Sequence, residues 1–140
     1  MGLPNVYDDI YKYAKEYIPS KSKYKPLVLK DAPQEMNKFP LVIIKQGDDS
    51  LSDESLGKED PVWRIVFEIE TFTMDKKTDE VVARQEITEE LVNLVNECFD
   101  KYYGLCRRAN RPAPNIDANI DRRYLKYDGL VNENKKIFRR

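Results

Sequence analysis

Apolar residues recur at two different periods along this chain. Near the start, Val6, Ile10, Tyr13, Ala14 and Tyr17 are spaced by three and four, so an amphipathic helix is expected over Asn5 to Ile18, closed by Pro19. A polar connector, Ser20 to Lys38, follows; within it VLKDAPQEM is steered toward extended backbone because Ala32 precedes Pro33. Phe39 to Gln46, FPLVIIKQ, is a β-branched run that reads as a buried strand. After Pro61 the period becomes two: Trp63, Ile65, Phe67 and Ile69 alternate with Arg64, Val66, Glu68 and Glu70, the pattern of a sheet with one dry and one wet face. Met74 to Thr78 read as its exit turn.

The helical period returns with Ala83, Ile87, Leu91, Leu94, Val95, Cys98 and Tyr102. A helix is expected from an N-cap near Asp79 to Tyr103, with Gly104 as the C-terminal glycine. At 1.5 Å per residue such a rod is roughly 37 Å long, enough to cross a small sheet. A competing reading makes Val81 to Gln85 a short strand and starts the helix at Thr88. LCRRAN then reads as a strand, PAPNID as a link, and Asn119 to Tyr127 as another strand, with Asp128-Gly129 turning the chain. The segment Leu130 to Arg140 reads as a closing hairpin about Asn132 to Asn134. Its aromatic and basic residues run to the last position, which suggests an end pinned into the sheet.

These elements predict an α+β fold: a mostly antiparallel sheet of about four or five strands packed against the long helix and the N-terminal helix. The length, 140 residues, suits one domain spanning 1–140. No internal repeat is visible. The segment Gly47 to Asp60 has a composition of its own, with Asp48, Asp49, Asp53, Glu54, Glu59 and Asp60 facing Lys58, and gives an acidic mobile loop over 47–61. Overall the chain is 41% apolar and 35% charged with net charge -1, which fits a globular protein and argues against a free-standing nucleic-acid binder. Cys98 and Cys106 are too few for a disulfide framework, so a reducing compartment is expected. No apolar run approaches membrane-spanning length and MGLPNVYDD lacks the order of a secretory signal, so a soluble, non-exported protein with no membrane partner is expected. Val6 stands where a myristoylation signal needs Ser or Thr.

Candidate chemistry is sparse. There is no histidine, which removes the commonest general base and metal ligand. Cys98 lies on the apolar helix face and reads as a packed thiol. Cys106 precedes Arg107 and Arg108, whose charges favour a thiolate, yet a structural thiol is the simpler reading. Glu68, Glu70 and Asp75-Lys76-Lys77 resemble the acidic set of a metal-dependent nuclease only loosely, because the last three sit in a turn. The glycines form no phosphate-cradling cluster, and DDSLSDE lacks the alternation and central glycine of a calcium loop. No catalytic residue, cofactor or metal site is therefore assigned. One electrostatic asymmetry stands out. From Leu105 onward there are ten basic residues (Arg107, Arg108, Arg111, Arg122, Arg123, Lys126, Lys135, Lys136, Arg139, Arg140) against four acidic ones, a net +6. A molecule divided in this way suits head-to-tail contact with its own copies, or a basic channel lining; a solvated strand face with internal pairs is the plain alternative.

The element order, PNIDANIDRRYLKYDG and the closing KIFRR resemble the tail terminator, or tail-completion and minor-capsid, proteins of long-tailed siphovirus-type bacteriophages. The resemblance spans nearly the whole chain and rests on fold patterns. It implies a homohexameric ring in the virion neck, assembled in the bacterial host cytoplasm on the last layer of the tail tube. There the ring ends tube growth and offers the head-joining surface. Implied partners are the chain itself, the tail tube protein, a head-tail connector or stopper, and transiently the packaged DNA. Candidate ring or tube contacts are Asp48, Asp49, Leu51, Asp53, Glu54 and Leu56 in the acidic segment, with Phe72 expected exposed on the wet strand face. Candidate channel or inter-subunit basic residues are Arg107, Arg108, Arg111, Arg122, Arg123 and Lys126. Another neck role (stopper or adaptor), a DNA-associated module built on the basic C-terminal region, and a nuclease using Glu68, Glu70 and Asp75 are the alternatives.

Overall fold

The period-two stretch after Pro61 becomes the spine of the molecule. The computed structural model describes residues 6–35, 38–47, 50–51, 62–77, 81–114, 118–132 and 137–138. Strand β4 (Val62–Thr73) pairs antiparallel with β8 (Asp121–Asn132) over twelve residues, from Val62 opposite Asn132 to Thr73 opposite Asp121. Beside β4 lies β2 (Leu41–Gln46), with β1 (Leu27–Leu29) parallel to it at one edge; β7 (Cys106–Pro112) flanks β8 at the other. The order is β1-β2-β4-β8-β7. Two short strands extend it: β3 (Ser50–Leu51) on β4 and β9 (Ile137–Phe138) on β8. A separate hairpin joins β5 (Lys76–Lys77) to β6 (Val81–Val82). Helices α1 (Tyr7–Lys21) and α2 (Arg84–Asn96) complete the α+β fold, α2 continuing into a π-helical segment, Glu97–Tyr102.

Alternation decides which face the helices cover. Trp63, Ile65, Phe67 and Ile69 on β4, with Leu125, Tyr127 and Val131 on β8, point one way and form the main core with Ile10, Ala14 and Ile18 of α1 and Ile87, Leu91, Leu94 and Val95 of α2. Removing a side chain such as Phe67 or Leu91 from water contributes about 1.5–3 kcal/mol before ordering costs. Phe99 bridges the layers, its ring 5.5 Å from Phe67 and 5.3 Å from Tyr127. Tyrosine hydroxyls satisfy backbone at the α1 side: Tyr7 donates to the Ile44 carbonyl and Tyr11 to that of Val28.

Several expectations are corrected. Pro19 does not close α1; it sits inside it, and the helix ends at Lys21. A proline near a helix end forfeits one hydrogen bond without forbidding the last turn, and Ser22 still donates its N–H to the Ile18 carbonyl. The second helix begins at Arg84 rather than near Asp79, because β-branched Val81 and Val82 pair with Lys77 and Lys76. Its first N–H is met by Asp75, whose Oδ1 accepts from Arg84 N at 2.9 Å. Asp79 lies outside the described residues. Gly104 does cap the helical run, with φ +76°, and donates its N–H to the Asp100 carbonyl. Asp128-Gly129 is no turn: both residues stay in β8, opposite Val66 and Ile65, and the strand runs on to Asn132. The closing hairpin forms through β9, where Ile137 pairs with Val131 and Phe138 with Leu130. Arg139 and Arg140 lie outside the described residues, as does most of the acidic segment; its Ser50–Leu51 is a short strand instead of loop.

Candidate interaction surface

The helix-free face of the sheet carries the polar residues that sequence alternation sent away from the core, but it is not uniformly wet. Near the Leu41 end, Leu41, Ile43, Phe72 and Ile120 make a second apolar cluster, flanked by Leu29 and Phe39. Phe72 is 1% exposed, which corrects the expectation of an exposed contact residue. Its even-numbered position does face away from the helices, but Leu41 lies opposite it on β2 and Arg122 opposite it on β8, with the guanidinium 5.4 Å from its ring centre. Val66, on the same face, is buried too.

Beyond this cluster lies a cross-braced band of charge. Arg122 forks onto Glu70, with Nη2 2.8 Å and Nε 3.0 Å from Oε2. Tyr124 donates to Glu68 at 3.1 Å, and the Arg111 guanidinium lies 4.5 Å from the Tyr124 ring centre. Lys126 and Lys45 flank Glu68 from the two neighbouring strands. Farther along, Asp128 is buried between two arginines: Arg64 donates to Oδ2 from Nη2 at 2.8 Å, and Arg108 to Oδ1 from Nε at 2.7 Å. A β-bulge makes this possible. Arg107 pairs with Tyr127 and Ala109 with Lys126, so Arg108 is the extra residue of β7 and reaches Asp128. Burial alone raises the Asp128 pKa, but hydrogen bonds and charge from Arg108 and Arg64 prevail and hold it below the ordinary carboxylate value.

The six basic candidates are therefore divided between two surfaces. Arg108, Arg111, Arg122 and Lys126 lie on the helix-free face. Arg107 and Arg123 lie on the other side, lining a groove of about 650 Å³ between β7 and α2 with Asn110, Glu89 and Asp121. There Arg123 Nε donates to Asn110 Oδ1 at 2.7 Å. The six candidates carry like charge, but two of them are already paired within their own chain, Arg122 with Glu70 and Arg108 with an Asp128 that it shares with Arg64. Of the candidates in the acidic segment, Asp48, Asp49, Asp53, Glu54 and Leu56 lie outside the described residues, and for Leu51 the backbone pairing with Trp63 is what is described.

The nuclease set is not assembled. Glu68 and Glu70 are committed to Tyr124 and Arg122, while Asp75 lies beyond the strand end and caps α2. Among the described residues no group of three metal-ligating side chains converges. Cys98 is fully buried and its thiol is pushed up to about 12 by desolvation, as expected of a packed side chain. Sequence reading placed Tyr102 on the apolar helix face; instead it is 61% exposed, stacked on Tyr13 at 4.1 Å beside Tyr17 and Tyr103. The π-helical segment is what turns it outward, and no period-3.6 count anticipates that.

No family model matches the sequence, and no curated protein matches it. Among solved structures, the chain is similar to one described as "Virion of native gene transfer agent (GTA) particle". The two are 15% identical, with a TM-score of 0.52, over 75% of this chain and 78% of that one. At that identity the likeness establishes a shared fold: an α+β architecture also found in a gene transfer agent virion.

Proposed function

We propose that this chain is a structural subunit of a phage-type virion, forming a ring at the head-proximal end of the tail tube. In this role it ends tube growth and presents the surface onto which the head docks. The observation that carries the reading is the fold shared with a chain of a gene transfer agent virion over three quarters of its length. The resemblance of PNIDANIDRRYLKYDG and KIFRR to tail terminators supports the finer assignment, with residues 1–140 acting as one domain. A holding role also suits the chemistry, since Glu68, Glu70 and Asp128 are spent on neighbouring arginines and tyrosines rather than gathered at a reacting centre.

The expected partners are further copies of the chain in a hexamer, the tube protein below and a connector or stopper above. Electron micrographs of particles assembled without this chain test the role. Overlong tails are the expected result; tails of normal length detached from full heads would reassign it to another neck position.

A further inference from the structure

At the end of the sheet where β2 begins and β4 ends, two adjoining hollows of about 480 Å³ each share Phe39, Pro40 and Lys25. Their floor is apolar and their rim is cationic, with Lys23 beside one and Lys38 beside the other. Among the described residues, three large apolar side chains are notably exposed, and two of them, Leu27 (38%) and Met74 (36%), line these hollows. Asp75 also lines one, but its carboxylate is occupied by the Arg84 N–H and guanidinium. Among the described residues, the side-chain amines of Lys23, Lys25 and Lys38 form no ion pair; Lys25 Nζ donates to the Pro19 carbonyl, and Glu90 accepts the backbone N–H of Lys23 at 3.0 Å. An apolar floor ringed by lysines whose amines form no ion pair fits an acidic segment carrying one apolar anchor.

The chain contains such a segment. Beyond Leu51, the run SDESLGKED sets Asp53, Glu54, Glu59 and Asp60 about Leu56, against Lys58. It departs from the opposite end of the sheet, since Leu51 pairs with Trp63 and the chain re-enters β4 at Val62. From Trp63 to Met74 the strand covers roughly 36 Å at about 3.3 Å per residue. An excursion that leaves at Leu51 and returns by Val62 extends at most about 20 Å from its base, given a reach of about 3.5 Å per residue. The segment cannot reach the lysine-rimmed groove of its own chain, but it can reach that of a neighbour stacked end to end.

We infer that the groove rimmed by Lys23, Lys25 and Lys38 receives the acidic segment around Leu56 of a second copy. The contact is heterologous, linking one end of each subunit to the other end of the next, and so generates a ring wherever the rotation closes. The inference rests on the self-assembling role proposed above and names the surfaces that would build it.

Sedimentation velocity of the full chain, alone and on tail tubes, tests it with four proteins: wild type, the groove variant K23E/K38E, the segment variant D53K/E54K, and the variant with all four changes. Each variant is first shown to melt like wild type. Either charge reversal should raise the dissociation constant for self-association by about tenfold or more, and the fourfold variant should recover it. Unchanged association of the groove variant, or no recovery in the fourfold variant, overturns the inference and leaves the ring reading intact. Loss of tube binding with self-association unaffected assigns the groove to the tube protein and overturns it likewise. A wild-type protein that stays monomeric under both conditions overturns the inference and the ring reading together.

Discussion

Asp128 shows how one residue changes meaning between sequence and fold. Next to glycine it reads as half of a turn, yet it sits at 1% exposure in the middle of a strand, because Arg64 and Arg108 supply the charge and hydrogen bonds that a buried carboxylate requires. Replacing it by asparagine keeps the shape and leaves both guanidiniums without a counter-charge, so Asp128→Asn should cost about 2 kcal/mol in urea unfolding. The pH dependence has a definite direction. Since the folded pKa lies below the unfolded value of about 3.9, the ionised group stabilises the fold at neutral pH. That contribution should persist down to about pH 5 and fade as pH drops through 4 and toward the folded pKa. In Asp128→Asn this part of the acid limb should be missing; an unchanged acid limb would show that the two arginines do not depress this carboxyl. The thiols offer a second check at the same scale. Cys98 is fully buried with its pKa near 12, and Cys106 is partly exposed. A neutral maleimide should therefore label native protein at Cys106 and spare Cys98 until denaturant is added.

At the scale of elements, chain ends and starts depended on partners that periodicity does not register. The start of α2 was set by the β5–β6 hairpin and by Asp75, nine residues before the N–H it accepts. Its far end was legible, because Gly104 alone meets the need for a left-handed residue after the helix. A Cβ built on Gly104 meets nothing within 4 Å, so Gly104→Ala isolates the backbone cost and should destabilise by about 1 kcal/mol. No measurable change in the urea midpoint would mean that the helix end relaxes to another conformation. β8 was expected to end at Tyr127 and continues to Asn132, because twelve successive pairings with β4 outweigh the local turn tendency of Asp-Gly.

For the molecule as a whole, two ends of one sheet differ in chemistry: an acidic segment leaves from one, and a lysine-rimmed apolar hollow closes the other. If the proposed ring is correct, purified chain should sediment as a hexamer or join the ends of preformed tubes, and light scattering that finds a strict monomer in both settings would count decisively against it. The sequence by itself determined the fold class, which residues of β4 face the helices, the packed state of Cys98 and the helical stop at Gly104. Each of these follows from local periodicity or from the backbone demands of a single residue. Only the tertiary structure decided that Phe72 is covered, that Arg108 and Arg122 are paired within the chain, and that Lys23 and Met74 line one hollow while Lys38 lines its neighbour. Those outcomes depend on strand order, on a bulge in β7 and on segments dozens of residues apart, and such non-local contacts leave no period in the sequence.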